Sequence, residues 1–240
     1  MDTERASYNS RLIYILMFFV AFFWGLAWPV GRILATDLLN YPFSVMFLRY
    51  VFAVPVLFGW LWFKEGNVIP LKRDYSYLLL LAFTSVFLYQ VGYMYGMQKT
   101  AASDASLIIG FNPVSVSILS VFILSHNLTR NGVLGILLSF IGVLLIFLAS
   151  PNLDIDFYDR IVGNAYIMLG AFAYAIYVVS MRRYVLLTQH KPLSSLATIS
   201  WASLVGCILF VPFVILEAPW ERIWNIQEWV LIAYLGVLST

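Results

Sequence analysis

The stretch WGLAWPVGR places two tryptophans, a proline and an arginine within one apolar run. At helical spacing, Trp24, Trp28 and Arg32 lie along one stripe. Aromatic faces bind the body of an organic molecule, and a guanidinium binds a carboxylate or phosphate. Pro29 removes a backbone hydrogen bond and favours a kink, while Gly25 allows a neighbouring helix or a ligand to come close. The chemistry that these residues indicate is the binding of a small organic molecule.

Other candidate binding residues are aromatic or amide side chains at comparable depth in later apolar runs. They are Tyr89, Gln90, Tyr93, Asn112, Tyr174 and Tyr177. Asn112 precedes Pro113, a second predicted kink, and a buried amide needs either a neighbouring helix or a substrate as its hydrogen-bond partner. For the aromatic residues, the two interpretations are a cavity lining and ordinary helix packing.

Arg49 is a charged residue inside an apolar run, roughly 9 Å from the outer end of the second helix at 1.5 Å per residue. A charge at this depth normally faces a partner or a cavity. One interpretation is an outer charge pair with Asp104, or a side chain that extends to the outer surface. The other is that Arg49 or Arg32 attracts a carboxylate or phosphate of the bound molecule.

The composition indicates a membrane protein. Of 240 residues, 62% are hydrophobic and 11% are charged, whereas soluble domains are about 25% charged. The net charge of +2 does not indicate a nucleic-acid partner, and the single cysteine, Cys207, offers neither a disulfide framework nor a metal cluster. No motif for a nucleophile with its base, a metal or a cofactor occurs, so we expect no enzyme.

Apolar runs long enough to cross a bilayer as helices occur seven times. They cover residues 12–35, 43–63, 75–97, 105–124, 133–149, 162–181 and 196–216. An eighth run begins near Trp229, and the sequence stops inside it. The runs do not alternate between apolar and polar residues as barrel strands do, so we predict an all-α polytopic membrane protein.

The basic residues predict the orientation. With the N-terminus inside, nine of them fall on the inner side and four on the outer side, including Arg32 near the outer end of the first helix. The inner group is Arg5, Arg11, Lys64, Lys72, Arg73, Arg130, Arg182, Arg183 and Lys191. Because cytoplasmic loops carry the excess of Lys and Arg, the N-terminus is predicted to be cytoplasmic.

The chain also contains an internal repeat. AFFWGLAWPVGR around Trp24 is echoed by GAFAYAIYVVSMRR around Tyr174, and this alignment puts Arg32 on Arg182. Five helices separate the copies, and five is odd, so the second copy would cross the membrane in the opposite direction. Inverted repeats are typical of secondary transporters that bind substrate between the two halves. Similar composition of apolar helices is the alternative explanation.

Several motifs occur in a specific order: WGLAWP, then FLRY, then YMYGMQKTAASDASLIIGFNPVSVSILSVFIL, then NLTRNGVLGILLSFIGVLLI. In this order the chain resembles EamA-type members of the drug/metabolite transporter superfamily over nearly its whole length. The resemblance implies ten helices in two inverted five-helix repeats, residues 1–150 and an incomplete 151–240, with about seven and a half helices present. It also implies transport, often export, of small metabolites such as amino acids across the cell membrane.

Two departures qualify the resemblance. SHNLT has Ser125, His126 and Asn127 where the family commonly has a Gly-Glu pair before LT. The family pattern also needs further helices, so we expect a C-terminally truncated chain.

No Asp or Glu lies at mid-membrane depth, which predicts gradient-driven or weakly coupled transport. A receptor or assembly subunit without transport activity is the alternative function.

Overall fold

The chain folds into a bundle of helices joined by short connections. The computed structural model describes residues 10–125, 127–149, 154–188 and 193–240, and these contain no β-strand. Arg5, His126 and Lys191, which were used above, lie outside the described residues. The helices are α1 Ser10–Asp37, α2 Pro42–Glu65, α3 Lys72–Lys99, α4 Ala102–Leu124, α5 Arg130–Ala149, α6 Phe157–Leu187, α7 Ser195–Glu217 and α8 Ile226–Leu238.

Helices α1 to α7 are each long and apolar enough to cross a membrane, which confirms the seven predicted spans. The largest difference is α6, which has 31 residues and extends beyond the predicted range of 162–181 at both ends. The additional turns at both ends carry polar residues. A helix can continue past the hydrocarbon where its terminal backbone groups still have hydrogen-bond partners. Helix α8 is shorter, with 13 residues.

Side-chain caps define several helix starts. The Asp156 side chain accepts hydrogen bonds from the backbone N–H groups of Tyr158 and Asp159 at the start of α6. Asn225 and Glu228 form a capping box at the start of α8. These caps satisfy backbone donors that lack a partner within the helix, so they fix where each helix begins.

Two helices change their geometry midway. In α3, residues Ala82–Leu88 form a π-helical segment between two α-helical segments. The hydroxyls of Thr84 and Ser85 hydrogen-bond to the carbonyls of Leu80 and Leu81 and compete with the regular backbone pattern there. Helix α4 consists of Ala102–Ile109 and Asn112–Leu124, with a turn between them. The second segment begins with Pro113 in its first turn, where a missing N–H costs little.

The crossing of α3 and α6 is a close backbone approach. A Cβ added to Gly92 on α3 would come within 2.8 Å of the Cα of Gly170 on α6. One added to Gly163 would come within 2.7 Å of the backbone nitrogen of Thr100. Small residues at such a crossing allow the backbones to pack directly, as membrane helices commonly do. This crossing fixes α6 against α3.

Helix α2 is central in the bundle and packs against α7, α8 and α3. At its start, the Glu217 carboxylate at the end of α7 accepts hydrogen bonds from the backbone N–H groups of Phe43 and Ser44, at 2.8 and 2.7 Å. The rings of Phe43 and Phe213 stack below, with centroids 4.6 Å apart. Polar capping and ring stacking therefore join the start of α2 to the end of α7.

The surface of the bundle suits lipid. Helix α5 has no buried residue in its apolar window, and residues 13–22 of α1 are exposed as well. The exposed residues are large and apolar, among them Phe18 on α1 and Phe140 on α5. Lipid tails are as apolar as these side chains, so contact between them costs no free energy. This surface therefore fits a bilayer.

Candidate functional site

A cavity of about 680 Å³ lies between the first three helices and helices α6, α7 and α8. This central cavity has the volume of a site for a small organic molecule. Its lining residues are Leu16, Phe19, Val20, Phe23 and Trp24 from α1, Arg49 and Tyr50 from α2, Ser85, Val86, Tyr89 and Gln90 from α3, Tyr174 and Tyr177 from α6, Ile199 and Ser203 from α7, and Leu238, Ser239 and Thr240 at the end of α8.

One wall of the central cavity is aromatic. The ring centroids of Tyr89 and Tyr174 are 5.4 Å apart, as are those of Tyr174 and Tyr177. Trp24 from α1 also lines the cavity and is 47% exposed. The repeat alignment paired Trp24 with Tyr174, and both line this cavity. The wall thus joins rings from the first and the sixth helix.

The polar part of the cavity is built around Arg49, which is 7% exposed. Its Nη1 donates to the Oε1 of Gln90 at 3.2 Å, its Nη2 to the Oγ of Ser239 at 3.2 Å, and its Nε to the Oγ1 of Thr240 at 3.1 Å. Gln90 in turn donates from Nε2 to the phenol oxygen of Tyr50 at 3.1 Å. The guanidinium is therefore held in place by neutral acceptors.

The predicted pair of Arg49 and Asp104 does not form. Ion pairs in the described part of the chain include Arg73–Asp74, Lys99–Asp159 and Arg222–Glu228, while the hydrogen bonds of Arg49 go to Gln90, Ser239 and Thr240. Asp104 is buried at the start of α4, in a segment that packs against α1, α5 and α6. Helix α2 instead turns Arg49 toward α3 and α8, so the two side chains belong to different parts of the bundle.

Arg32, the other cation considered for binding, does not line the central cavity. Its Nη1 donates to the backbone carbonyl of Met97 in the last turn of α3. A cation at a helix C-terminus satisfies a carbonyl and interacts favourably with the helix dipole. This contact joins α1 to α3.

Three predicted binding residues lie outside the cavity lining. Trp28 is 8% exposed and packs edge to face on Tyr93, with centroids 5.4 Å apart. The Tyr93 hydroxyl donates to the carbonyl of Ala27 at 2.6 Å, so this ring is part of the α1–α3 contact. Asn112 is half-buried on α4, and its Oδ1 has no hydrogen-bond partner among the described residues.

The predicted kink residues have different surroundings. Helix α1 runs through Pro29 without interruption, and a side chain at Gly25 would meet open space. Helix α4 is interrupted by a turn at Gly110 and Phe111, just before Pro113. Hinge motion at these three positions stays a prediction.

Several lining residues were not predicted from the sequence. Ser85 and Val86 belong to the π-helical segment of α3, and Tyr50 follows Arg49 directly. Ile199 and Ser203 lie four apart on α7, a spacing typical of one helix face. The adjacent Thr84 and Ser85 were a usable signal, because hydroxyls within an apolar helix bond to backbone carbonyls and mark irregular turns. In the described ranges, no three His, Cys, Asp or Glu side chains form a group that could hold a metal ion.

Comparison with known proteins gives a family. Residues 11–148 match the EamA-like transporter family, which is more than half of the sequence. The chain belongs to this family. This match confirms the resemblance of the motifs quoted above.

Individual relatives agree with the family. A Bacillus subtilis protein named uncharacterized transporter YetK is 28% identical over 196 residues, which are 80% of this chain and 58% of that protein. An Archaeoglobus fulgidus protein named uncharacterized transporter is 25% identical over 200 residues, 83% of this chain and 66% of its own length. Uncharacterized transporter YyaM of Bacillus subtilis is 27% identical over 202 residues, 83% of this chain and 65% of that protein. The chain thus spans between 58% and 66% of the length of these relatives.

Family and fold together define the class. The chain is a multi-pass helical membrane protein that belongs to a transporter family.

Proposed function

We propose that this protein carries small organic metabolites, amino acids among them, through the central cavity and out of the cytoplasm. Transport proceeds by alternating access between two inverted repeats, residues 1–150 and the repeat that begins at 151. The observation that supports this proposal is that α1, α2 and α3 of the first proposed repeat and α6, α7 and α8 of the second line one cavity with aromatic and polar side chains. Sites at the interface of inverted repeats are typical of secondary transporters.

The pairing of helices supports the inverted repeat. If α1, α2 and α3 correspond to α6, α7 and α8, each contact between the halves should have a counterpart. Helix α2 packs on α7, the pair that a pseudo-two-fold axis maps onto itself. The contact of α2 with α8 has its counterpart in α7 with α3, and that of α1 with α8 in α6 with α3.

The orientation follows from the charge distribution. The excess of Lys and Arg in the connections that share a side with the N-terminus supports a cytoplasmic N-terminus. We propose the cell membrane as the location. In this orientation the end of α7, with Glu217, faces outward.

The lining also bears on energy coupling. The central cavity is lined by no Asp or Glu among the described residues. Proton and sodium carriers in transporters are commonly intramembrane carboxylates. We therefore propose gradient-driven or weakly coupled transport through this cavity.

Counterflow in proteoliposomes with a panel of amino acids and other metabolites tests the proposed function. We expect accumulation of at least one labelled solute. Trp24→Ala should lower its uptake by up to about tenfold, because an aromatic stacking contact is worth about 0.5–1.5 kcal/mol.

Trp62→Ala is the matched control, since Trp62 is 75% exposed at the end of α2 and lies outside the cavity. Uptake by this control should equal that of the wild type. Absence of counterflow for every solute, with the protein folded and inserted, would contradict transport and favour a receptor or assembly role. Equal loss in both variants would contradict the cavity assignment.

A further inference from the structure

The charges around the central cavity are one-sided. Of the described side chains that line it, Arg49 alone is charged, and none of them is an Asp or a Glu. The other polar groups are hydroxyls and the Gln90 amide, and the remainder are aromatic or aliphatic. Among the described side chains of the lining, an entering molecule therefore meets one positive charge and no negative one.

Among the described residues, the side chains that bind Arg49 supply no negative charge. All of its hydrogen bonds go to neutral oxygens, of Gln90, Ser239 and Thr240. Neutral acceptors satisfy the N–H groups geometrically, but they do not neutralise a cation that has lost most of its water. A buried charge in a membrane protein that faces a cavity marks a ligand or ion site.

The Gln90 amide fixes how the guanidinium is presented. It accepts from Arg49 through Oε1 and donates to Tyr50 through Nε2, so neither end of the amide is free to rotate. Gln90, which binds Arg49, and Tyr89, which belongs to the aromatic wall, are consecutive residues of α3. The charged group and the aromatic wall are therefore adjacent. An anionic head at Arg49 would thus have an apolar body beside Tyr89 and Tyr174.

We propose that the central cavity selects organic anions with an aromatic or apolar body, the negative group being bound by Arg49 and the body by the aromatic wall. This inference rests on the proposed function and narrows its solutes to those with a net negative charge, so the zwitterionic amino acids that the broader proposal includes are excluded. A zwitterion loses the hydration of its ammonium group without gaining a carboxylate partner in this lining. A cation meets Arg49 as a like charge in a medium of low dielectric constant.

Equilibrium binding of matched phenylethyl compounds to the wild-type protein tests the inference without any substitution. The probes are phenylethanesulfonate as anion, phenylethanesulfonamide as neutral analogue, phenylalanine as zwitterion and phenylethyltrimethylammonium as cation. In nanodiscs of phosphatidylcholine, we expect the sulfonate to bind at least about tenfold more tightly than any of the other three, the effect of about 1.4 kcal/mol of ion pairing. Equal affinities, a preference for the cation or the zwitterion, or no binding of the sulfonate would overturn the proposal.

Substitutions then assign the selectivity. Arg49→Gln should reduce sulfonate affinity to that of the sulfonamide, whose own affinity should stay within about twofold. Arg49→Lys should keep a smaller preference, since it retains the charge but not the planar fork of donors. Arg32→Gln is the control, because Arg32 lies outside the cavity, and it should bind all probes as the wild type does. A sulfonate preference that survives in Arg49→Gln would contradict the role of Arg49.

Two further arms separate the source of the anion and the two proposals. If phosphatidylglycerol in the nanodiscs displaces the sulfonate, the anion at Arg49 is a lipid headgroup and the solute assignment is wrong. Charge-selective binding without counterflow of any bound solute would contradict transport and leave the selectivity standing. Counterflow that is indifferent to solute charge would overturn the selectivity and leave transport standing.

Discussion

Gln90 links two buried groups of the central cavity, the Arg49 guanidinium and the Tyr50 hydroxyl. It is 2% exposed, so neither partner can replace it with water. A buried polar group that loses its partner costs about 1–3 kcal/mol. The amide therefore contributes to stability as well as to the shape of the site.

Gln90→Leu should lower the free energy of unfolding by about 1–3 kcal/mol, because it leaves one Arg49 donor and the Tyr50 hydroxyl without a partner. The measurement is denaturant unfolding of the purified protein in micelles. Gln98→Leu is the matched control on the same helix, since the Gln98 amide makes an exposed bond to the carbonyl of Leu39. Its effect should stay within about 0.5 kcal/mol, and equal losses in both variants would contradict the network.

Single residues also show how far sequence reasoning reached. Trp24 was identified in the WGLAWPVGR stretch and Tyr174 by its alignment with Trp24 in the repeat, and both line the cavity. Trp28 and Tyr93 have the same residue types at helical spacing, but they pack on each other. The spacing of residues along one helix does not reveal which of them a neighbouring helix covers. For Trp28 and Tyr93 this depends on where α1 crosses α3. Arg49 was recognised as unusual, whereas its partners on α3 and α8 are distant in sequence.

Helices were predicted more reliably than their irregularities. Long apolar runs fix the existence of the spans, because lipid requires every backbone group to be bonded within the helix. The π-helical segment Ala82–Leu88 was not predicted. It differs from an α-helix in its local backbone hydrogen bonds, and the pattern of apolar residues does not show this difference. This segment ends directly before Tyr89 and sets which face of α3 carries Tyr89 and Gln90 into the cavity.

Glu217→Gln tests the contact between the end of α7 and the start of α2. The carboxylate accepts from two backbone N–H groups and from the Ser44 hydroxyl at 2.6 Å, where the dipole of α2 favours a negative charge. Loss of the charge should lower the free energy of unfolding by about 1–2 kcal/mol in the same micelle experiment.

The control for this contact is Glu221→Gln, an exposed carboxylate in the connection after α7. It should change the free energy of unfolding by less than about 0.5 kcal/mol. If Glu217→Gln is as stable as this control, the hydrogen bonds at the start of α2 contribute nothing to the joining of α2 and α7.

At the scale of the molecule, the central cavity depends on how two sets of helices, α1 to α3 and α6 to α8, are joined. The glycine crossing holds α6 against α3, and the contact of α2 with α7 closes the other side. Helix α1 has few buried residues and contributes five side chains to the cavity wall. The sequence repeat predicted which helices correspond, but not the crossings, because these depend on contacts between residues far apart in the chain.

The central claim is that one water-accessible cavity, shared by both sets of helices, binds the solute. Thiol labelling tests it most directly, since replacing the single Cys207 by serine gives a background without other cysteines. Into this background Trp24→Cys and Tyr174→Cys are introduced, with Phe18→Cys and Phe140→Cys as controls from the exposed apolar surface. We predict that a charged, water-soluble thiol reagent labels the first two in membranes, that bound solute protects both, and that the controls stay unlabelled. Labelling of the controls alone, or labelling at both cavity positions that no transported solute slows, would contradict the account.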